Sequence, residues 1–248
     1  MRARVMIIVA VVFALLGAVF AIAVPNTPTE GTIIDSGRRN YTVDGGLAVG
    51  AQAGNVTQLD IQSNTTTTHW QGYYGSVSGE ITLDDAGNST LFNWVLTTPT
   101  GEVYASNTST VTWANITCVN LTGDNEATTL SRSKLNNSIL EAFFNITGTD
   151  SDGVDETFDQ EYAGSFDVGS TTIDGTYLCP MAYMNVNNDS QSSSFQEVVL
   201  TDNVSSIWTA ILEDDETGFD GSAMDFQMIV PENQAEGVTN YYFFVELS

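Results

Sequence analysis

The chain is poor in the residues that usually carry chemistry or hold nucleic acid. It has one histidine, His69, one lysine, Lys134, and only six basic side chains in 248 residues, against 31 acidic ones. With a formal net charge of −25, a polyanion or an anionic bilayer is repelled over the whole surface, so no nucleic-acid partner is expected. Two cysteines, Cys118 and Cys179, are too few for a disulfide-rich scaffold, and with His69 they make a poor zinc set. No Gly-x-Ser-x-Gly, His-Glu-x-x-His or phosphate-loop motif occurs. His69 has no signalled nucleophile or orienting carboxylate, and two carboxylates for glycosidase chemistry chosen among 31 prove nothing. The expectation is therefore no enzyme and no catalytic residue, with a secreted hydrolase as the remote alternative.

What the chain does have begins at its first residues. Arg2 and Arg4 precede an apolar run over 5–24, and Ala21-Ile22-Ala23 gives a small-x-small pattern. Residues 1–23 read as a signal peptide, or as a membrane anchor, since about 20 uncharged apolar residues just span a bilayer as a helix. Either way the remainder is expected outside the cell or on its surface, with any membrane contact made through this segment. Residues 24–44 form a polar extended arm, and 45–248 a single domain with no internal repeat.

Two further features agree with export. In an oxidising compartment one pair of cysteines favours a Cys118–Cys179 disulfide. Eleven Asn-x-Ser/Thr sequons mark candidate N-glycosylation sites at Asn40, Asn55, Asn64, Asn88, Asn107, Asn115, Asn120, Asn136, Asn145, Asn188 and Asn203.

Beyond the arm the dominant hydrophobic period is two. Val77, Gly79, Ile81 and Leu83 alternate with polar residues, Asp84 to Asn88 supply a turn, and Phe92, Trp94 and Leu96 share the next face. Strand patterns follow at 103–106, 110–113, 140–146, 162–168, 182–186, 195–200 and 207–212. Met224, Phe226, Met228 and Val230 alternate along one late strand, and Tyr241, Phe243, Val245 and Leu247 along another. A hairpin loop over 231–239 is expected between them. The one helical pattern is 126–135. A dozen short strands predict an all-β fold: an antiparallel β-sandwich, or two packed β units, after the N-terminal hydrophobic helix.

Two segments bear on binding. Asp150-Ser151-Asp152-Gly153-Val154-Asp155-Glu156 spaces hard oxygen ligands as a calcium loop does, with Asp150, Asp152, Asp155 and Glu156 as candidate ligands. It departs from the EF-hand in the place of its glycine and the lack of flanking helices. No cofactor is expected, with calcium the one open possibility. The segment Trp70-Gln71-Gly72-Tyr73-Tyr74 fits core aromatics or a glycan platform, and the core reading is preferred.

Together, the stretches at 69–79 (HWQGYYGSVSG), 101–106 (GEVYAS), 152–158 (DGVDETF), 225–233 (DFQMIVPEN) and 241–247 (YYFFVEL) resemble a recurrent module of uncharacterised exported archaeal surface proteins. The resemblance covers about 45–248. It implies a surface protein and brings no catalytic residues. The expected function is a non-enzymatic extracellular or cell-surface structural or interaction protein, a subunit of a surface layer, sheath or filament. Its partners are copies of itself, or other surface proteins and glycans, with 24–44 as a strand for a neighbour's sheet edge. The alternative is an adhesin-like glycan- or calcium-binding β module.

Overall fold

The computed structural model describes residues 27–37, 64–121, 135–233, 235 and 237–248, with a few positions between 52 and 59. The N-terminal apolar run, Asn40, Lys134 and the helical pattern before Leu135 lie outside them. Among the described residues no helix is long and apolar enough to cross a membrane. They form a mostly antiparallel β structure with two short helices.

The frame is an eight-stranded sheet. Its path runs β1 (Thr29–Glu30), β16 (Tyr242–Leu247), β5 (Gly101–Ser106), β12 (Ser206–Ile211), β11 (Gln196–Thr201), β10 (Pro180–Tyr183) and β7 (Gln160–Glu161), with β6 (Thr117–Cys118) also on β11. Every pairing in it is antiparallel. The central strands are buried on both faces, so their sequences read as near-continuous apolar runs rather than clean alternation. Gly101 opens β5 with φ +128°, and a Cβ there would strike the Glu246 carbonyl of β16.

One face carries Val103, Ala105, Val199, Trp208 and Ala210 into the first core. It is covered by a ribbon of β2 (Trp70–Gly75) and β15 (Phe226–Pro231), and by α1 (Asn137–Phe144) and α2 (Val154–Thr157). Trp208 is fully buried at its centre, with the rings of Phe158 at 5.3 Å, Trp70 at 5.6 Å and Phe144 at 6.4 Å. The other face carries Tyr104, Val198, Leu200, Ile207 and Phe244 into a second core. The hairpin of β8 (Ser165–Val168) and β9 (Thr171–Asp174) adds Phe166, Val168 and Ile173 to it. So does the disulfide Cys118–Cys179, which ties β6 to the residue before β10 across 61 positions with Cα atoms 5.0 Å apart. Of the aromatics of β16, Phe243 and Phe244 are covered by the chain itself on opposite faces, while Tyr242 stays exposed.

Several expectations are corrected. The pattern at 140–146 is not a strand. Asn136 caps α1 by accepting from the Ile139 N–H, and Asn145 ends it in the left-handed region, so capping overrides alternation. The pattern at 110–113 gives a 3-10 turn, Trp113–Asn115, in which Trp113 packs edge-on against Tyr104 and Phe244, both at 5.2 Å. Of the 162–168 pattern only Ser165–Val168 is strand, as β8, and β7 lies just before it. The last two strands are not a hairpin, because β15 pairs with β2 in the ribbon while β16 pairs with β5 and β1 in the main sheet. Residues 231–239 therefore cross between layers. The Tyr241 hydroxyl donates to the Pro231 carbonyl at 2.7 Å and pins the crossing. From the polar arm, β1 lies on β16 of its own chain.

The remaining pair, β3 (Glu80–Asp84) and β4 (Thr90–Val95), stands apart from both cores. All eleven of its residues are exposed. Its register sets Ile81 opposite Trp94 and Leu83 opposite Phe92, which puts four large apolar side chains on one uncovered face.

At the edge of the second core Glu102, Tyr104 and Glu246 form a polar knot. The Tyr104 hydroxyl lies 3.3 Å from a carboxylate oxygen of each glutamate, and the Gly169 N–H donates to Glu246 at 3.0 Å. Burial, and then the Glu246 charge, push the Glu102 carboxyl up to about 8. A folded-state value above the ordinary 4.5 means that stability is full below pH 4.5 and is lost as pH rises toward 8. We expect urea-unfolding free energy to fall by about 3–5 kcal/mol over that window from this group, and Glu102→Gln to flatten the fall. An unchanged slope in Glu102→Gln would refute the assignment. Removing the disulfide with Cys118→Ala and Cys179→Ala should cost about 3–4 kcal/mol in the same assay.

Candidate functional site

The acidic loop after α1 is the one place among the described residues where three ligating carboxylates converge. It is built by two helices. Asn137 and Glu141 sit four positions apart on α1 and so share a face, and the first turn of α2 presents Asp155 and Glu156 to it. Carboxylate oxygens of Glu141, Asp155 and Glu156 lie within 4.8 Å of one another. Glu141 is only 6% exposed, whereas Asp155 and Glu156 face solvent.

The four residues expected to share a calcium ion are divided by the structure. Asp155 and Glu156 join Glu141, a residue whose role the sequence did not signal because its segment reads as a strand. Asp150 and Asp152 turn to His69 instead, with Nε2 at 3.5 Å from Asp150 and 4.0 Å from Asp152. Asp150 also accepts from the Thr147 N–H at 2.8 Å, and its carboxyl is held below the usual range mainly by that bond. The Thr67 hydroxyl donates to Asp152, whose backbone carbonyl accepts from Trp70 Nε1 at 2.7 Å. His69 and Trp70 thus clamp the start of β2 to this loop, a structural task.

Like charges so close disturb one another's protonation. Burial, together with the Asp155 carboxyl, raises Glu141. Glu156 is raised through its hydrogen bond to Asp155. Burial opposes ionisation of Asp155 too, but hydrogen bonds from Glu156, Asn137 and its own backbone outweigh it and leave that carboxyl lowered. The group holds its charge by sharing protons or by accepting a cation. Beside it opens a cleft of about 710 Å³, lined by Val119, Leu121, Asp155, Phe158 and Glu161 among others.

The other sequence features fall elsewhere. The run Glu213 to Glu216 leads into the short strand Glu216–Thr217, and Asp220 closes a turn on the Ser222 N–H and hydroxyl. Of the ten described sequon asparagines, Asn55, Asn64, Asn88, Asn115, Asn145, Asn188 and Asn203 are exposed. Asn107, Asn120 and Asn136 are half-buried, so none is in a core. Four of them, Asn88, Asn145, Asn188 and Asn203, adopt positive φ, a turn role that asparagine fills with or without a glycan. Trp70 and Tyr73 belong to the first core, with Tyr73 edge-on to Phe243 at 5.0 Å, while the exposed Tyr74 meets Phe219 at 5.0 Å.

Sequence reasoning also missed what the polar residues of the 225–233 stretch do. Asp225 is buried and accepts from Val77 N–H at 2.6 Å and Asp215 N–H at 3.1 Å. Gln227 accepts from Phe219 N–H and donates to the Asn185 carbonyl, and Asn233 donates to the Phe143 carbonyl. They are staples between loops, and the alternation of their apolar neighbours gave no sign of it.

No protein-family model matches the chain, and neither a curated protein nor a solved structure does.

Proposed function

We propose that this chain is a non-enzymatic structural or interaction protein of the cell surface that assembles with copies of itself into a layer, sheath or filament. The observation that carries the reading is the β3–β4 hairpin. A lone two-stranded ribbon is marginal in water, and this one holds Ile81, Leu83, Phe92 and Trp94 on one face at 49–56% exposure. A contiguous apolar face of this kind, with Glu80, Thr82 and Asn93 on the opposite face of the ribbon, suits burial against another protein. The acidic tip at Asp84 and Asp85 disfavours a bilayer as the cover. The export signal, the sequons kept out of both cores and the resemblance to exported archaeal surface modules support the same reading. In it, residues 1–23 direct the chain outward, and the two sheet layers act as a β-sandwich carrying the hairpin.

A second reading, an adhesin-like module that holds calcium or a glycan, is favoured by the carboxylate group on α1 and α2.

Immunogold electron microscopy of the native cell surface tests the first reading, and label on regular lattices or filaments is expected. Phe92→Ser with Trp94→Ser should abolish assembly of the purified chain in light scattering while changing its unfolding free energy by no more than about 0.5 kcal/mol per site. Sparse label on a featureless envelope, or assembly that survives the double substitution, would overturn it.

A further inference from the structure

We infer that Glu141, Asp155 and Glu156 form a binding site for one hard divalent cation of the calcium type. Convergence of carboxylates does not by itself make such a site. Two observations beyond it point to a ligand. Glu141 is more than nine-tenths buried, and its Oε1 reaches no hydrogen-bond donor. Asn137, one turn earlier on the same face, donates its amide N–H to this group. A carboxylate oxygen withdrawn from water without a donor is costly unless a cation meets it.

Gly153 fixes where the carboxylate oxygens point. A Cβ there would collide with Glu156 Oε2 and come within 3.0 Å of Glu141 Oε1, so both oxygens are aimed at the same space over the glycine. Gly148 leaves similar room on the other side, its Cβ position lying 3.6 Å from Glu141 Oε2. Neither glycine position has positive φ, so close approach of the carboxylates is what a side chain would obstruct.

The donor set selects the cation. Three carboxylates are hard ligands. A softer metal finds no nitrogen or sulfur here, since His69 is engaged by Asp150 and Asp152 and both cysteines are in the disulfide. Calcium accepts six to eight oxygens in loose geometry, so carboxylate oxygens and water on the exposed side of Asp155 and Glu156 complete a shell. The cation would join α1 to α2 and so brace the first core, in which Leu140, Phe144 and Val154 are buried.

The inference is independent of self-assembly, and its test uses the monomeric chain after chelator treatment. Titration with calcium chloride in a calorimeter should give saturable heat at one ion per chain. The melting temperature should rise by about 3–5 °C in calcium at well above the dissociation constant. Sodium chloride at matched ionic strength should not reproduce this. Asp155→Asn with Glu156→Gln, both at exposed positions that leave the fold intact, should weaken binding at least tenfold. Asp150→Asn with Asp152→Asn should leave it unchanged. Absence of saturable heat, an equal rise in sodium chloride, or loss confined to the Asp150/Asp152 variant would each overturn the proposal.

Discussion

The rest of the structure depends on the burial of β5, β12 and β11 on both faces. A sheet so placed must find a cover for each side, and the chain supplies two of different kinds. On the first side a ribbon and two helices close over Trp208. On the second a hairpin, a 3-10 turn and a disulfide close over Tyr104 and Leu200. A polar side chain on such strands is costly unless it is satisfied, and Glu197 meets this in part, with one oxygen bonded and Oε1 without a partner. It is fully buried on β11, faces the ribbon, and accepts from the Ile229 N–H at 2.8 Å. Burial holds its carboxyl well above the usual range, so it joins the layers without placing a full charge in the core.

Much of the framework was legible. Strands β5, β11, β12 and β16 lie within a residue or two of their patterns, because apolar runs of six between turn residues have few other uses in a chain with so little helical periodicity. The disulfide was legible from number alone. What failed did so for local reasons. Asn136 and Asn145 stand at the two ends of α1 and decide its conformation by capping, yet as letters they were counted only as sequons. The pairing of β15 and β16 failed for a non-local reason: proximity in sequence favours a hairpin, but β5 offered β16 a six-residue register inside the doubly buried sheet. Nothing within 231–239 encodes that preference.

The acidic loop divides on the same line. Spacing of carboxylates along 150–156 was visible, but spacing cannot say that α2 begins at Val154 and brings Asp155 and Glu156 to Glu141. Nor can it place Glu141, nine positions before the loop, opposite them. Once α1 is recognised by its caps, the four-residue interval from Asn137 to Glu141 puts both side chains on one face, toward Asp155. That signal was available only after the helix was.

Charge ties these points together. All six basic residues lie outside the described part of the chain, so within it His69 is the sole side chain able to carry positive charge. Several of the described carboxylates are met by backbone N–H donors. Val77 and Asp215 serve Asp225, Gly169 serves Glu246, and Thr112, Val204 and Ser205 serve Asp202. Backbone donors are fixed in place, so each such carboxylate also fixes a loop, which makes acidity a means of building loops rather than only a surface property. The Glu141 group is where this supply falls short, because three carboxylates crowd together and an oxygen of the buried one finds no donor at all. A cation taken from solution, as inferred above, would balance such a group without protonating it.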